Sequence, residues 1–118
     1  MSNLTLTQIS ADVSVSPQLE PSAMADVAAA GFKTVINNRP DLEGGAAQPA
    51  SAAIETAARE AGLVYAHLPV HPALHSPEEI ARFKELLASS PKPILAFCRS
   101  GARSTKLFNA AQSDQATD

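Results

Sequence analysis

The feature that most constrains this chain is an apolar run, Ile94-Leu95-Ala96-Phe97, that ends on its single cysteine, Cys98, and turns at once into a small polar loop. Four consecutive apolar residues without alternation are what a strand buried on both faces of a parallel sheet requires. After Ser104, Thr105 to Ala111 read as an amphipathic helix. A loop that leads from a strand's carboxyl end into a helix gathers N–H groups and the positive helix end around one point, which is an anion site. Here the point is Cys98. The same field favours thiolate over thiol and cradles a negative group carried on the sulfur. The candidate catalytic residues are therefore Cys98 as nucleophile and Arg103 as a permanent positive fork inside the site. Arg99, at the mouth, and Ser100, Gly101, Ala102 and Ser104 are the candidate anion-binding residues.

The rest of the chain repeats the strand and helix alternation. Ile9, Ala11, Val13 and Val15 keep the period of a half-exposed strand or hairpin, which Pro17 ends. Glu20-Pro21-Ser22 opens a helix whose stripe is Met24, Val27 and Ala28 and whose stop is Gly31. Phe32 to Ile36 reads as a strand that runs into a polar loop, Asn37 to Gly45. A helix is predicted over 49–61, with Ala50, Ala53, Ile54, Ala57 and Ala61 on one face and Glu55 and Arg59 paired on another. Leu63 to Val70 is the third strand of this series. Ser76-Pro77-Glu78-Glu79 then starts a helix that buries Ile80, Phe83, Leu86 and Leu87.

The prediction is an α/β fold of three layers: a mostly parallel central sheet of four to five strands flanked by helices. One domain spans 1–118, with a disordered tail at 112–118. Ligands of such sheets bind beyond the carboxyl ends of the strands. That rule puts the Arg39–Gly45, Val70–His75 and Cys98 loops on one rim.

Composition bounds the function. A net charge of -3 without a lysine or arginine cluster gives no support for nucleic-acid binding. The chain has neither an apolar run long enough for a bilayer nor the start of a signal peptide, so no membrane role and a cytoplasmic location are expected. A lone cysteine fits a reducing compartment and leaves its thiol free. His67, His71 and His75 recur every four residues, but Pro69 and Pro72 forbid a continuous helix there; neither a metal site nor a cofactor is predicted. Tyr65 is read as core packing with its hydroxyl at an edge.

These residues carry two resemblances. Cys98-Arg99-Ser100-Gly101-Ala102-Arg103-Ser104 resembles the active loop of rhodanese-type sulfurtransferases, a cysteine, four residues and an arginine. Val15-Ser16-Pro17-Gln18, the segment from Ala30 to Pro40 and Tyr65-Ala66-His67-Leu68-Pro69-Val70 resemble the phosphatase-like domain of the beta-lactamase-hydrolase-like family. The second resemblance runs from about Leu6 to Ala111. It implies a cysteine-phosphatase scaffold and, since some members are fused to or encoded near one, a persulfide-oxidising enzyme as partner.

Cysteine phosphatases place five residues between cysteine and arginine, and Ser104 stands at that longer spacing here. A loop shorter by one residue suits a single bound sulfur atom better than a phosphoryl group. Phosphatases also use an acid on a neighbouring loop, and Val70 to His75 contains no aspartate. Asp41 or Glu43 is the remaining candidate acid, and Arg39 and Asp41 are auxiliary site candidates. The reading is therefore a sulfurtransferase: Cys98 takes sulfur from a small anionic donor, thiosulfate or a persulfide, and passes it to a thiol acceptor. The alternatives are a phosphatase acting through a Cys98 phosphocysteine and a non-catalytic anion-binding module.

Overall fold

The computed structural model describes residues 4–73 and 75–116, and residues 113–116 by their backbone only. The elements follow in the order β1 (Thr7–Gln8), β2 (Val13–Ser16), a short 3-10 turn (Pro21–Ala23), α1 (Met24–Ala29), β3 (Thr34–Asn37), α2 (Ser51–Glu60), β4 (Val64–His67), α3 (Pro77–Ser89), β5 (Ile94–Phe97) and α4 (Ala102–Ala116). Five strands form one sheet in the order β1-β2-β5-β3-β4. Only β1 runs antiparallel; β2, β3, β4 and β5 are parallel. The strand or hairpin expected at residues 8–15 is the β1–β2 hairpin, and the α/β reading holds.

β5 occupies the centre, with Ala96 beside Val15 of β2 on one side and Ile36 of β3 on the other. All four of its residues are buried, and their side chains alternate between two cores. Ile94 and Ala96 join Val13, Val15, Ile36, Phe83, Leu86, Leu107 and Phe108 beneath α3 and α4. Leu95 and Phe97 join Met24, Val27, Val35, Ile54, Ala58, Leu63 and Tyr65 beneath α1 and α2. Helices on both faces leave only the strand ends open to a ligand. The chain crosses the sheet from β2 through β3 to β4 and then returns to β5, so the carboxyl end of β5 opens at the point of reversal.

Local chemistry sets the boundaries. The Ser76 hydroxyl accepts from the Glu79 N–H at 3.1 Å while the Glu79 carboxylate accepts from the Ser76 N–H at 2.9 Å. That reciprocal cap is worth about 1 kcal/mol and starts α3 at Pro77. On α2 the buried positions are Ser51, Ile54 and Ala58, whereas Ala53, expected on the buried face, is exposed. α4 begins at Ala102, earlier than predicted, which puts Arg103 and Ser104 in its first turn. Its backbone continues to Ala116, through residues where a disordered tail was expected; 117 and 118 lie outside the described residues.

Candidate active site

Each parallel strand contributes a residue at its carboxyl end, and those residues bond to one another. Gln18 follows β2, Asn38 and Arg39 follow β3, Val70 follows β4 by a short turn, and Cys98 follows β5. The Gln18 N–H donates to the Arg99 carbonyl at 3.2 Å, the Cys98 N–H to the Ser16 carbonyl at 3.4 Å, and the Asn38 N–H to the Phe97 carbonyl at 2.8 Å. The rim predicted from sheet topology is therefore one connected hydrogen-bonded surface.

At its centre the Gly101 N–H donates to Cys98 Sγ at 3.0 Å. Gly101 has φ +95°, and a Cβ there would stand 3.4 Å from the Ser16 carbonyl oxygen, so the turn requires glycine. Burial pushes the Cys98 thiol up. The N–H groups of Ser104, Ser100 and Gly101 and the Ser104 hydroxyl outweigh burial, and its pKa lies below the usual 9.0. The Ser104 hydroxyl also has Asn38 Oδ1 as an acceptor at 2.8 Å. A hydroxyl has one proton, so backbone donors carry the thiolate whenever Ser104 serves Asn38.

Arg103 is 7% exposed. Its Nη1 donates to the Val70 carbonyl at 3.3 Å and its Nη2 to Glu43 Oε1 at 3.0 Å, while Nε is buried with no acceptor. A buried donor left unpaired costs on the order of 1–3 kcal/mol. Arg39, 8% exposed, donates from Nε to the same Glu43 oxygen at 2.8 Å and from Nη1 to Gln18 Oε1 at 3.0 Å. Burial acts to raise the Glu43 pKa, but the two guanidinium groups bring it below the ordinary carboxylate value of 4.5. Glu43 is thus an anion at neutral pH, unable to donate a proton in this state.

Three arginines and this carboxylate line a cleft of about 580 Å³, Arg39, Glu43, Gly44, Pro72, Arg99 and Arg103. Of the cleft's arginines, Arg99 is exposed, whereas Arg103 and Arg39 are buried. Two expectations need correction. Cys98 is only 1% exposed, so the sulfur of the expected nucleophile is buried and not open to solvent. Arg103, expected as the fork inside the site, is engaged by Glu43 and the Val70 carbonyl and is not a free clamp.

Other candidates find structural roles. Asp41 accepts from the Ser51 N–H at 2.8 Å and so caps α2. The Tyr65 hydroxyl is buried, bonded to Asn37 at 3.0 Å and Ser51 at 2.7 Å, and does not sit at an edge. His67 Nε2 donates to the Arg39 carbonyl at 2.8 Å, and His71 Nδ1 accepts from the Ala73 N–H at 3.0 Å. Among the described residues no group of three His, Cys, Asp or Glu side chains is placed to hold a metal ion, and no helix is long and apolar enough to cross a membrane. Sequence reasoning missed Gln18 and Asn38 as site residues. Both are polar side chains just beyond the carboxyl end of a parallel strand, and that position was the available signal.

Comparison with known proteins agrees with this scaffold. Residues 5–115 match the family described as beta-lactamase hydrolase-like protein, phosphatase-like domain. A beta-lactamase hydrolase-like protein of Xylella fastidiosa is 30% identical over 105 residues, 89% of this chain but 24% of that protein, so the chain spans about a quarter of this relative. A protein of Neisseria meningitidis Z2491 described as a candidate phosphatase superposes with a TM-score of 0.80 at 32% identity, covering 92% of this chain and 74% of that one. A mutant form of Tk-PTP shares the fold alone, with a TM-score of 0.70 at 18% identity over 94% of this chain and 72% of that one. The sheet order, the cysteine loop and these matches converge: the chain belongs to the phosphatase-like domain family of the beta-lactamase hydrolase-like proteins, an α/β fold of the cysteine-phosphatase type.

Proposed function

We propose that this chain is a thiolate-dependent phosphatase acting on small phosphomonoesters through Cys98. The observation that carries the reading is a single loop that holds, at one end, a cysteine sulfur accepting from the Gly101 N–H with its pKa lowered by the loop's donors and, at the other, a buried guanidinium, on a phosphatase scaffold. Cys98 Sγ attacks phosphorus, the P–O bond to the leaving group breaks, and a phosphocysteine forms. Water then cleaves the P–S bond, releasing inorganic phosphate and restoring the thiolate. Backbone N–H groups of the loop and Arg103 balance the charge on the phosphoryl oxygens. Asp41 is committed to capping and Glu43 is ionised between two arginines, so the leaving oxygen departs without an acid. Aryl phosphates, whose leaving groups need no proton, are therefore the preferred substrates over alkyl phosphates.

That same lack of an acid favours a second reading, sulfur transfer, together with the Cys98 to Arg103 spacing. The thiolate attacks the outer sulfur of thiosulfate, the S–S bond breaks, sulfite leaves and a Cys98 persulfide remains; a thiol or cyanide then takes the sulfur. Thiolates and sulfite leave readily near neutral pH.

One experiment separates the readings. Wild type and Cys98→Ala are assayed with p-nitrophenyl phosphate and, separately, with thiosulfate and cyanide, and intact mass is recorded after thiosulfate. Release of nitrophenol by wild type and its loss in Cys98→Ala, by about 10⁴-fold or more, supports the phosphatase. Thiocyanate formation alone, with a mass gain of one sulfur absent from the variant, replaces it with the sulfurtransferase. Turnover that survives the substitution overturns both.

A further inference from the structure

Arg39 and Arg103 come from different elements, one after β3 and one in the first turn of α4, yet both donate to a single atom, Glu43 Oε1. Each is more than nine-tenths buried. Two guanidinium ions brought this close repel each other, so the arrangement stands because an anion lies between them. Glu43 supplies that anion with one oxygen shared by both, and Arg103 Nε stays buried without an acceptor. A carboxylate is thus an incomplete match for the donors that converge here. A tetrahedral phosphate group has three non-bridging oxygens, enough for Arg39 Nε, Arg103 Nη2 and Arg103 Nε together.

The loop that delivers Glu43 lies at the surface, its backbone tied by turns of its own and by Gln48. Asp41 to Ala47 are all exposed, and Leu42 is 73% exposed with a left-handed φ of 65°. It lies directly on the arginine, since a Cβ at Gly44 would stand 2.6 Å from Arg39 Nη2. Among the described residues the Glu43 carboxylate itself is held by the two guanidinium groups alone.

We propose that Arg39 is a second anion-binding residue of the Cys98 site, and that Glu43 is an internal carboxylate holding the place of the substrate's phosphate group between Arg39 and Arg103. An incoming phosphate dianion displaces Glu43, takes both arginines and releases Arg103 from the 41–47 loop. This rests on the reading of the cleft as the substrate-anion site, while its test needs no turnover.

Inorganic phosphate binding is measured by calorimetry at pH 7 on the whole chain: wild type, E43Q, R39M and the E43Q/R39M pair, with thermal unfolding of each. E43Q removes the competing charge but keeps the shape, and phosphate is expected to bind about tenfold more tightly. R39M is expected to weaken phosphate binding about tenfold in the E43Q background. Glu43→Asp, which keeps the charge but withdraws it by one methylene, serves if E43Q melts early and is expected to give a smaller gain. Equal or weaker binding by a folded E43Q or Glu43→Asp overturns the proposal, as does R39M leaving E43Q unchanged. Phosphate binding without p-nitrophenyl phosphate hydrolysis removes the phosphatase reading and leaves this one standing. Absence of phosphate binding in all of these proteins removes both.

Discussion

Two loops meet at the carboxyl edge of the sheet, and they are made in different ways. The 98–104 loop is built from backbone: Gly101 N–H reaches Cys98 Sγ, Thr105 N–H reaches the Gly101 carbonyl at 3.0 Å, and the Arg99 carbonyl accepts from Gln18 N–H. The loop after β3 has backbone turns of its own but is fastened mainly by side chains. Arg39 and Glu43 pair at 2.8 Å, Gln48 donates to the Pro40 carbonyl at 2.8 Å and accepts from the Gly44 N–H at 2.7 Å, and Asp41 caps α2. A backbone-built cradle asks only for residues that permit its shape, and it holds its donors whatever ligand comes. A side-chain-built loop can lose one contact at a time, which suits the part of a site that must yield to substrate. The nucleophile thus sits in the rigid member of the pair and the arginine clamp leans on the adjustable one.

The same substitution made in both loops breaks this comparison or sharpens it. Gly101→Ala is expected to have the largest effect, because φ +95° is unfavourable for alanine and the added methyl meets the main chain of Ser16. Stability should fall by about 1–3 kcal/mol, several degrees in Tm by calorimetry, and iodoacetamide labelling of Cys98 should need higher pH. Gly44→Ala is milder. Its methyl meets the end of the Arg39 side chain at 2.6 Å and Gln48 Oε1 at 3.2 Å, both of which are side-chain ends that can move. Stability should change by less than about 1 kcal/mol, while inorganic phosphate binds a few-fold more weakly as Arg39 is displaced. Equal losses of stability in the two variants would show that the loops do not differ in the way described.

The difference between the loops also explains what the sequence made legible. Ile94 to Phe97 could be read as a central strand because four apolar residues in a row suit burial on both faces. Arg103 was legible as a residue but not in its orientation. That depends on Glu43, sixty positions away in the chain, and no local spacing reports a pairing of that range. Asp41 looked like a candidate acid because its side chain is right for one. Its actual task became visible only once α2 placed Ser51 beside it. Gln18 and Asn38 carry the same lesson, since their partners Arg39, Arg99 and Ser104 come from other loops and from the first turn of α4.

The smallest effect expected concerns Ser104, whose hydroxyl joins the backbone N–H groups at the Cys98 sulfur. The pH dependence of iodoacetamide labelling should give wild-type Cys98 a midpoint below 9.0, because N–H groups and the Ser104 hydroxyl stabilise the thiolate more than burial opposes it. The sign for stability follows: a depressed thiol pKa favours the fold fully above the unfolded value, and that contribution is lost as pH falls through the folded value. Tm should therefore rise with pH over that window in wild type and hardly at all in Cys98→Ser. In Ser104→Ala the labelling midpoint should move up but stay below 9.0, since the backbone donors of residues 100, 101 and 104 remain. A midpoint that does not move would mean that the hydroxyl serves Asn38 alone, and that the thiolate is held entirely by main-chain groups. A midpoint that reaches 9.0 would mean the reverse, and the contrast between a loop of amides and a loop of side chains would fail at the nucleophile itself.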